Sequence, residues 1–160
     1  MAGPSIVISP ALNAEFAPTI AAAVKAAGDC VGNAFQLAVP CPVSSGQNGP
    51  IGIVQAAQLT DLDALSARLA IQIYKAAFTD AGDGNAFAPG VGAPPNYVGT
   101  ILVNPTDWIT LGGVGYATVS AYGLAAKIVG GVWYAQIITV DGLTTATPNG
   151  IRGALSGIIT

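Results

Sequence analysis

Side chains able to do chemistry are scarce in this chain. Among 160 residues there are eight acidic and five basic groups, two cysteines and no histidine. Lack of histidine removes the usual general base, His-dependent triads and most transition-metal sites. The densest set of oxygen donors is Asp80-Ala81-Gly82-Asp83-Gly84-Asn85, which makes Asp80, Asp83 and Asn85 the candidate calcium ligands. Their spacing is not the regular alternation of a calcium loop and no distal glutamate follows, whereas Asp, Asn and Gly suit tight turns for backbone reasons alone. Asp61 and Asp63 share a strand face and could imitate a carboxylate pair, but a loop end between two strands fits them better. Cys30 and Cys41 could bridge if the chain doubles back, and buried free thiols are the plainer reading. The pairs Gly112-Gly113 and Gly130-Gly131 lack the Gly-Lys-Ser/Thr of a phosphate loop. No catalytic residue, cofactor or metal is expected, and nothing in the pattern supports an enzyme.

The same scarcity has a second meaning. Charged residues make up 8% of the chain, against about 25% in a typical soluble domain. Charge keeps domains apart, so a surface this poor in it predicts that neighbouring subunits cover much of it. The net charge is -3, and Lys25, Arg68, Lys75, Lys127 and Arg152 are scattered, which leaves no footprint for nucleic acid. The uncharged stretch from Trp108 to Ala126 is long enough to span a membrane, yet Gly112, Gly113, Gly115 and Gly123 make it a poor helix. No membrane partner is expected. Nor is a secretory signal, because Pro4 and Pro10 bracket the early apolar triplet Ile6-Val7-Ile8 and the first basic residue is Lys25.

The elements that would carry these residues have a period of two. Leu69, Ile71 and Ile73 share one strand face. Ile51 to Leu59 alternates less cleanly and suggests a bulge or an edge. Tyr97 to Val103 stops at Asn104-Pro105. Val114 to Ala121 and Leu124 to Val129 suggest a hairpin around Tyr122-Gly123, and Gly153 to Ile159 a final strand. The strongest strand, Val132 to Val140, is apolar on both faces, so it is either central or set at a subunit contact; Trp133 and Tyr134 are its candidate contact residues. Turn-rich segments separate these pieces at intervals suited to a sandwich. Pro18 to Ala27 reads equally as a short helix, opened by proline and stopped at Gly28, or as extended chain. The expected fold is an all-β single-domain sandwich over residues 18–160, jelly-roll or Greek-key-like, with at most one short helix. An extended arm over residues 1–17 precedes it, with Ile6, Val7 and Ile8 as candidate partner contacts.

Several segments in order resemble a family of small tailed-bacteriophage proteins that decorate or cement the capsid. They are Ala27-Gly28-Asp29-Cys30-Val31-Gly32, Leu69-Ala70-Ile71-Gln72-Ile73-Tyr74, Phe78-Thr79-Asp80 with Asp83-Gly84-Asn85-Ala86-Phe87, Tyr97-Val98-Gly99-Thr100-Ile101, and Trp133 to Thr139 with Thr145 to Pro148 behind it. Cys30, Cys41, the insertion around Gly90 to Pro95 and the low charge depart from the family pattern. The resemblance implies a β-sandwich that is made in the host cytoplasm and sits on the capsid surface of the virion. Its partners would be the major capsid protein and further copies of itself, as dimer or trimer, with no catalytic residues. Rival readings are a self-assembling fibre or adhesin subunit, a coat protein of a small virus, and a ligand-binding β-barrel with Trp108, Trp133 and Tyr134 inside.

Overall fold

A computed structural model describes residues 11–39, 50–90 and 93–160, and the fold is all-β. The strands are β1 (Ala11–Phe16), β2 (Ala23–Lys25), β3 (Phe35–Ala38), β4 (Ile51–Asp61), β5 (Leu69–Tyr74) and β6 (Tyr97–Val103). They continue with β7 (Trp108–Leu111), β8 (Val114–Lys127), β9 (Val132–Thr139), β10 (Leu143–Thr145) and β11 (Ile151–Ile159). A five-stranded sheet in the order β1-β11-β4-β8-β7 packs against a four-stranded sheet in the order β3-β9-β5-β6, and β10 pairs with β2 in a separate ribbon. Every pairing is antiparallel. The result is a sandwich-like single domain, as the period-two pattern predicts.

Apolar residues at alternate positions meet between the sheets. Leu12, Val54, Leu59 and Leu155 come from one side, Leu37, Ile71, Ile73 and Ile137 from the other, and all are buried. Strand β9 lies inside its sheet between β3 and β5. Of the two readings left open for it, the central one holds. Trp133 is fully buried on its inner face, so its candidacy as a partner contact is corrected: the indole is core, with Nε1 donating to the Lys127 carbonyl at 3.1 Å. The ring lies so close to β4 that a Cβ at Gly52 would stand 2.6 Å from Cη2, which explains a glycine inside a strand. Trp108 is also core, its Nε1 donating to the Ala67 carbonyl at 2.9 Å. Tyr134 is half-buried on the opposite face of β9, paired with Tyr74 in the ladder.

Two local expectations are overturned, and the open choice over Pro18 to Ala27 falls to extended chain. Residues 11–16 do not belong to an arm, because β1 pairs with β11 along its whole length and buries Leu12, Ala14 and Phe16. The Phe16 ring stacks on Phe35 of the facing sheet at 4.9 Å. Ile6, Val7 and Ile8 lie outside the described residues, as does Cys41. Pro18 to Ala27 forms no helix. Ala23–Lys25 is strand β2, because Thr145 offers its hydroxyl to the Ala21 carbonyl and accepts from Ala23 N–H, a partner that a short alanine-rich helix lacks. Finally, Tyr122-Gly123 is no hairpin turn. Strand β8 runs through it, and the ladder to β4 takes up the irregularity between Val54 and Ala56. The hairpin turns are Gly112-Gly113 and Gly130-Gly131, all at positive φ, as two-residue turns between twisted strands require.

Replacing Trp133 with alanine should lower stability by about 3–5 kcal/mol. Urea unfolding checks this, and a loss below about 1 kcal/mol would show that the indole is not core.

Candidate functional site

The candidate calcium loop proves to be an anchor. The Lys25 side chain is fully buried, and its ammonium lies 2.7 Å from Asp83 Oδ1. The same oxygen accepts the Gly32 N–H, and Oδ2 accepts the Ala21 N–H. Burial pushes the Asp83 carboxyl up, but Lys25 and these amides outweigh it and hold the group below the usual carboxylate range. With both oxygens engaged by donors, little is left for a cation. Asp80 accepts the Gly82 N–H, and the Asn85 amide nitrogen donates to the Ala81 carbonyl, as in an ordinary turn. Among the described residues no three acidic or thiol groups stand close enough to share a metal ion.

The anchor has a structural object. Gln136, fully buried on the outer face of β9, donates from Nε2 to the Gly32 carbonyl at 2.8 Å. Asp83 thus fixes the residue whose carbonyl accepts from Gln136 Nε2. Nearby, Cys30 is a buried free thiol, pushed up to about 11 by burial first and then by Asp80, Asp29 and Asp83. It stays protonated and unreactive at neutral pH. Asp61 and Asp63 also organise turns, as the loop-end reading expects. Buried Asp61 accepts the N–H groups of Asp63 and Leu65, while Asp63 accepts those of Ala146 and Thr147 together with the Thr147 hydroxyl. Asp107 caps its own turn by accepting the Asn104 N–H. These acidic groups hold backbone and do not converge on a substrate.

The candidate functional site is therefore a surface. The outer face of the five-stranded sheet is defined by four rows of paired residues, none of them buried. They read Arg152-Thr60-Tyr116-Ile109, Glu15-Ala154-Gln58-Thr118, Asn13-Ser156-Ala56-Ser120 and Ala11-Ile158-Ile53-Ala125. Within these rows the charges are Glu15 and Arg152, which sit near one corner beside a shallow depression. Lys127 lies past the last row, at the end of β8 opposite Ile51. At the opposite end of β8 and on adjacent β7, Ile109 and Leu111 are each 64% exposed and Tyr116 46%. A broad, nearly uncharged face with an apolar corner is suited to covering by protein. Sequence alternation in β7 and β8 held the signal for that corner, but it became visible only when the Gly112-Gly113 turn fixed which side faces out.

The chain matches no protein-family model, and neither curated proteins nor solved structures give a match. The segments that carry the family resemblance map onto β5, β6, β9 and the loops beside them. The nearly uncharged face is built from the other sheet. No helix of the described residues is long and apolar enough to cross a membrane.

Lys25→Met should cost about 1–3 kcal/mol at pH 7, because it leaves a partly buried carboxylate without its ammonium while two backbone N–H groups remain on it. The pH dependence follows from the depressed value of Asp83. Its stabilising contribution is whole above the unfolded value of about 3.9 and drains away as pH falls through the folded one. Asp61, raised by burial against its two backbone amides, works the opposite way and opposes folding as pH rises from its unfolded to its folded value. Chemical denaturation between pH 7 and pH 3 should show a smaller acid-side loss in the K25M/D83N double variant than in the wild type. Equal slopes would remove Asp83 as a source of acid sensitivity.

Proposed function

We propose that this chain is a non-enzymatic structural subunit of a virion, which decorates the outer capsid lattice and cements it. The carrying observation is the outer face of the five-stranded sheet, broad and accessible in the monomer, with Glu15 and Arg152 at one corner and Lys127 at one end as its charges. Burying the middle of such a face contributes about 25 cal/mol per Å2 of apolar area with little charge desolvation to offset. Repetition over a lattice multiplies modest contacts into avidity. The ordered resemblance to decoration proteins supports the same reading, and so does the use of acidic groups as backbone anchors. In this reading the partners are the major capsid protein and other copies of the chain, on the capsid surface.

The test is to mix the purified protein with empty capsids and image them. Symmetric, stoichiometric added density is expected, and a freely soluble monomer with no affinity for heads would end the proposal. Ala56→Arg and Ala154→Arg, set in the middle of the face, should abolish occupancy while changing stability by only about 0.5 kcal/mol. Removing residues 1–10 leaves β1 whole and should lower capsid occupancy and particle heat stability. Unchanged values there would remove the N-terminal segment, with Ile6, Val7 and Ile8, from the contact.

A further inference from the structure

We propose that β7 is a self-pairing edge: two copies of the chain join antiparallel through it about a two-fold axis at Thr110. The inference rests on the assembly reading above and names one of its contacts.

The phase of the hydrogen bonds leaves this edge open. Gly112-Gly113 is a two-residue turn that makes Leu111 and Val114 a hydrogen-bonded pair. Pairs alternate along an antiparallel ladder, so Ile109 with Tyr116 is hydrogen-bonded and Thr110 with Gly115 is not. The N–H and C=O of Thr110 therefore point away from β8, into the open edge of the sheet. Among the described residues no strand pairs there. Apart from its shortness, Trp108-Ile109-Thr110-Leu111 carries none of the side-chain devices that guard an edge: no lysine, no proline, no inward charge.

Self-complementarity then selects the occupant. Centred on Thr110, antiparallel pairing puts Thr110 opposite its own copy in a hydrogen-bonded pair. Ile109 falls opposite Leu111 of the second copy, in the closer pair geometry of about 4.5 Å between Cα atoms. An unbroken outer row follows: Tyr116, Ile109, then Leu111 and Val114 of the second copy. Residues 108–126 hold no charge. The nearest charged group, Asp107, ends about 20 Å from its counterpart, about six strand residues away at roughly 3.3 Å each. A net-negative chain can thus pair here without opposing like charges. The arrangement is isologous and closes as a dimer instead of growing into a filament. A strand this short buries less than the roughly 1,200 Å2 of a stable interface, so the contact is weak in solution and gains strength where a lattice holds two copies side by side.

The experiment is disulfide trapping in the full chain with Cys41→Ser. Thr110→Cys should give a covalent dimer on mild oxidation, because about 5.5 Å between paired Cα atoms lies within disulfide reach. Ile109→Cys or Leu111→Cys alone should give far less, since each faces the other position and not itself. Thr110→Pro removes only an outward N–H and keeps the ladder to β8. It should weaken self-association in sedimentation at high concentration by about tenfold or more, with the thermal midpoint held. Equal trapping at all three positions, or association untouched by Thr110→Pro, would overturn the pairing. So would a Thr110→Cys dimer that forms only after residues 1–10 are deleted, which would put that segment on the edge instead. If the wild-type protein binds capsids but the Thr110→Cys variant gives no covalent dimer, the pairing alone is refuted. Wild-type protein that ignores capsids refutes the assembly reading.

Discussion

Strand β9 has no face that it can show to water. Trp133, Ala135 and Ile137 point into the sandwich, while Gln136 and Ile138 on the other side are buried as well. Two coverings are therefore needed. The first is the five-stranded sheet, whose Gly52 admits the Trp133 ring. The second includes the Gly32 carbonyl, which accepts from Gln136, while the ring cluster of Tyr74, Phe78 and Tyr97 sits on the neighbouring β5 and β6. A loop laid over a sheet face must have its own polar groups satisfied. Asp83, partly buried and paired with the fully buried Lys25, meets that demand for the N–H groups of Ala21 and Gly32.

This gives the charge deficit a sharper meaning than composition alone conveys. Few charged groups exist, and Lys25, Asp61, Asp63, Asp83 and Asp107 are engaged in holding turns and loops together. What remains for the surface is thinner than 8% of the chain suggests. The outer face of the five-stranded sheet receives little of it, and that little lies at the margins. A buried ion pair is weak evidence for stability, since desolvation opposes its attraction, but it is expensive to break. Its contribution here is to fix one loop path among many.

Strand edges follow a comparable division. On one side the sheets close through β1 and β3, where Phe16 stacks on Phe35. On the other, Gly99 of β6 lies directly against Leu124 of β8. Strand β8 is long enough to serve twice: its distal half leans on β6, and its first residues carry β7 out beyond that closure. Among the described residues β1, β3, β6 and β7 each end a sheet, and β7 is the short one that bears exposed Ile109 and Leu111.

The all-β class, the strands β4, β5, β6, β9 and β11, and the role of Asp61 and Asp63 as turn residues were readable from local pattern, because alternation and turn chemistry are properties of neighbouring residues. The two Gly-Gly hairpins and the Leu12-Ala14-Phe16 alternation were equally local, though they carry meaning only beside a partner strand. Ala23–Lys25 is a strand and not a helix, Trp133 is core and not contact, and Asp83 meets a lysine ammonium and not a metal ion. Those outcomes depend on residues far away along the chain, and the long-range contacts outweighed a local preference of only tenths of a kcal/mol per residue.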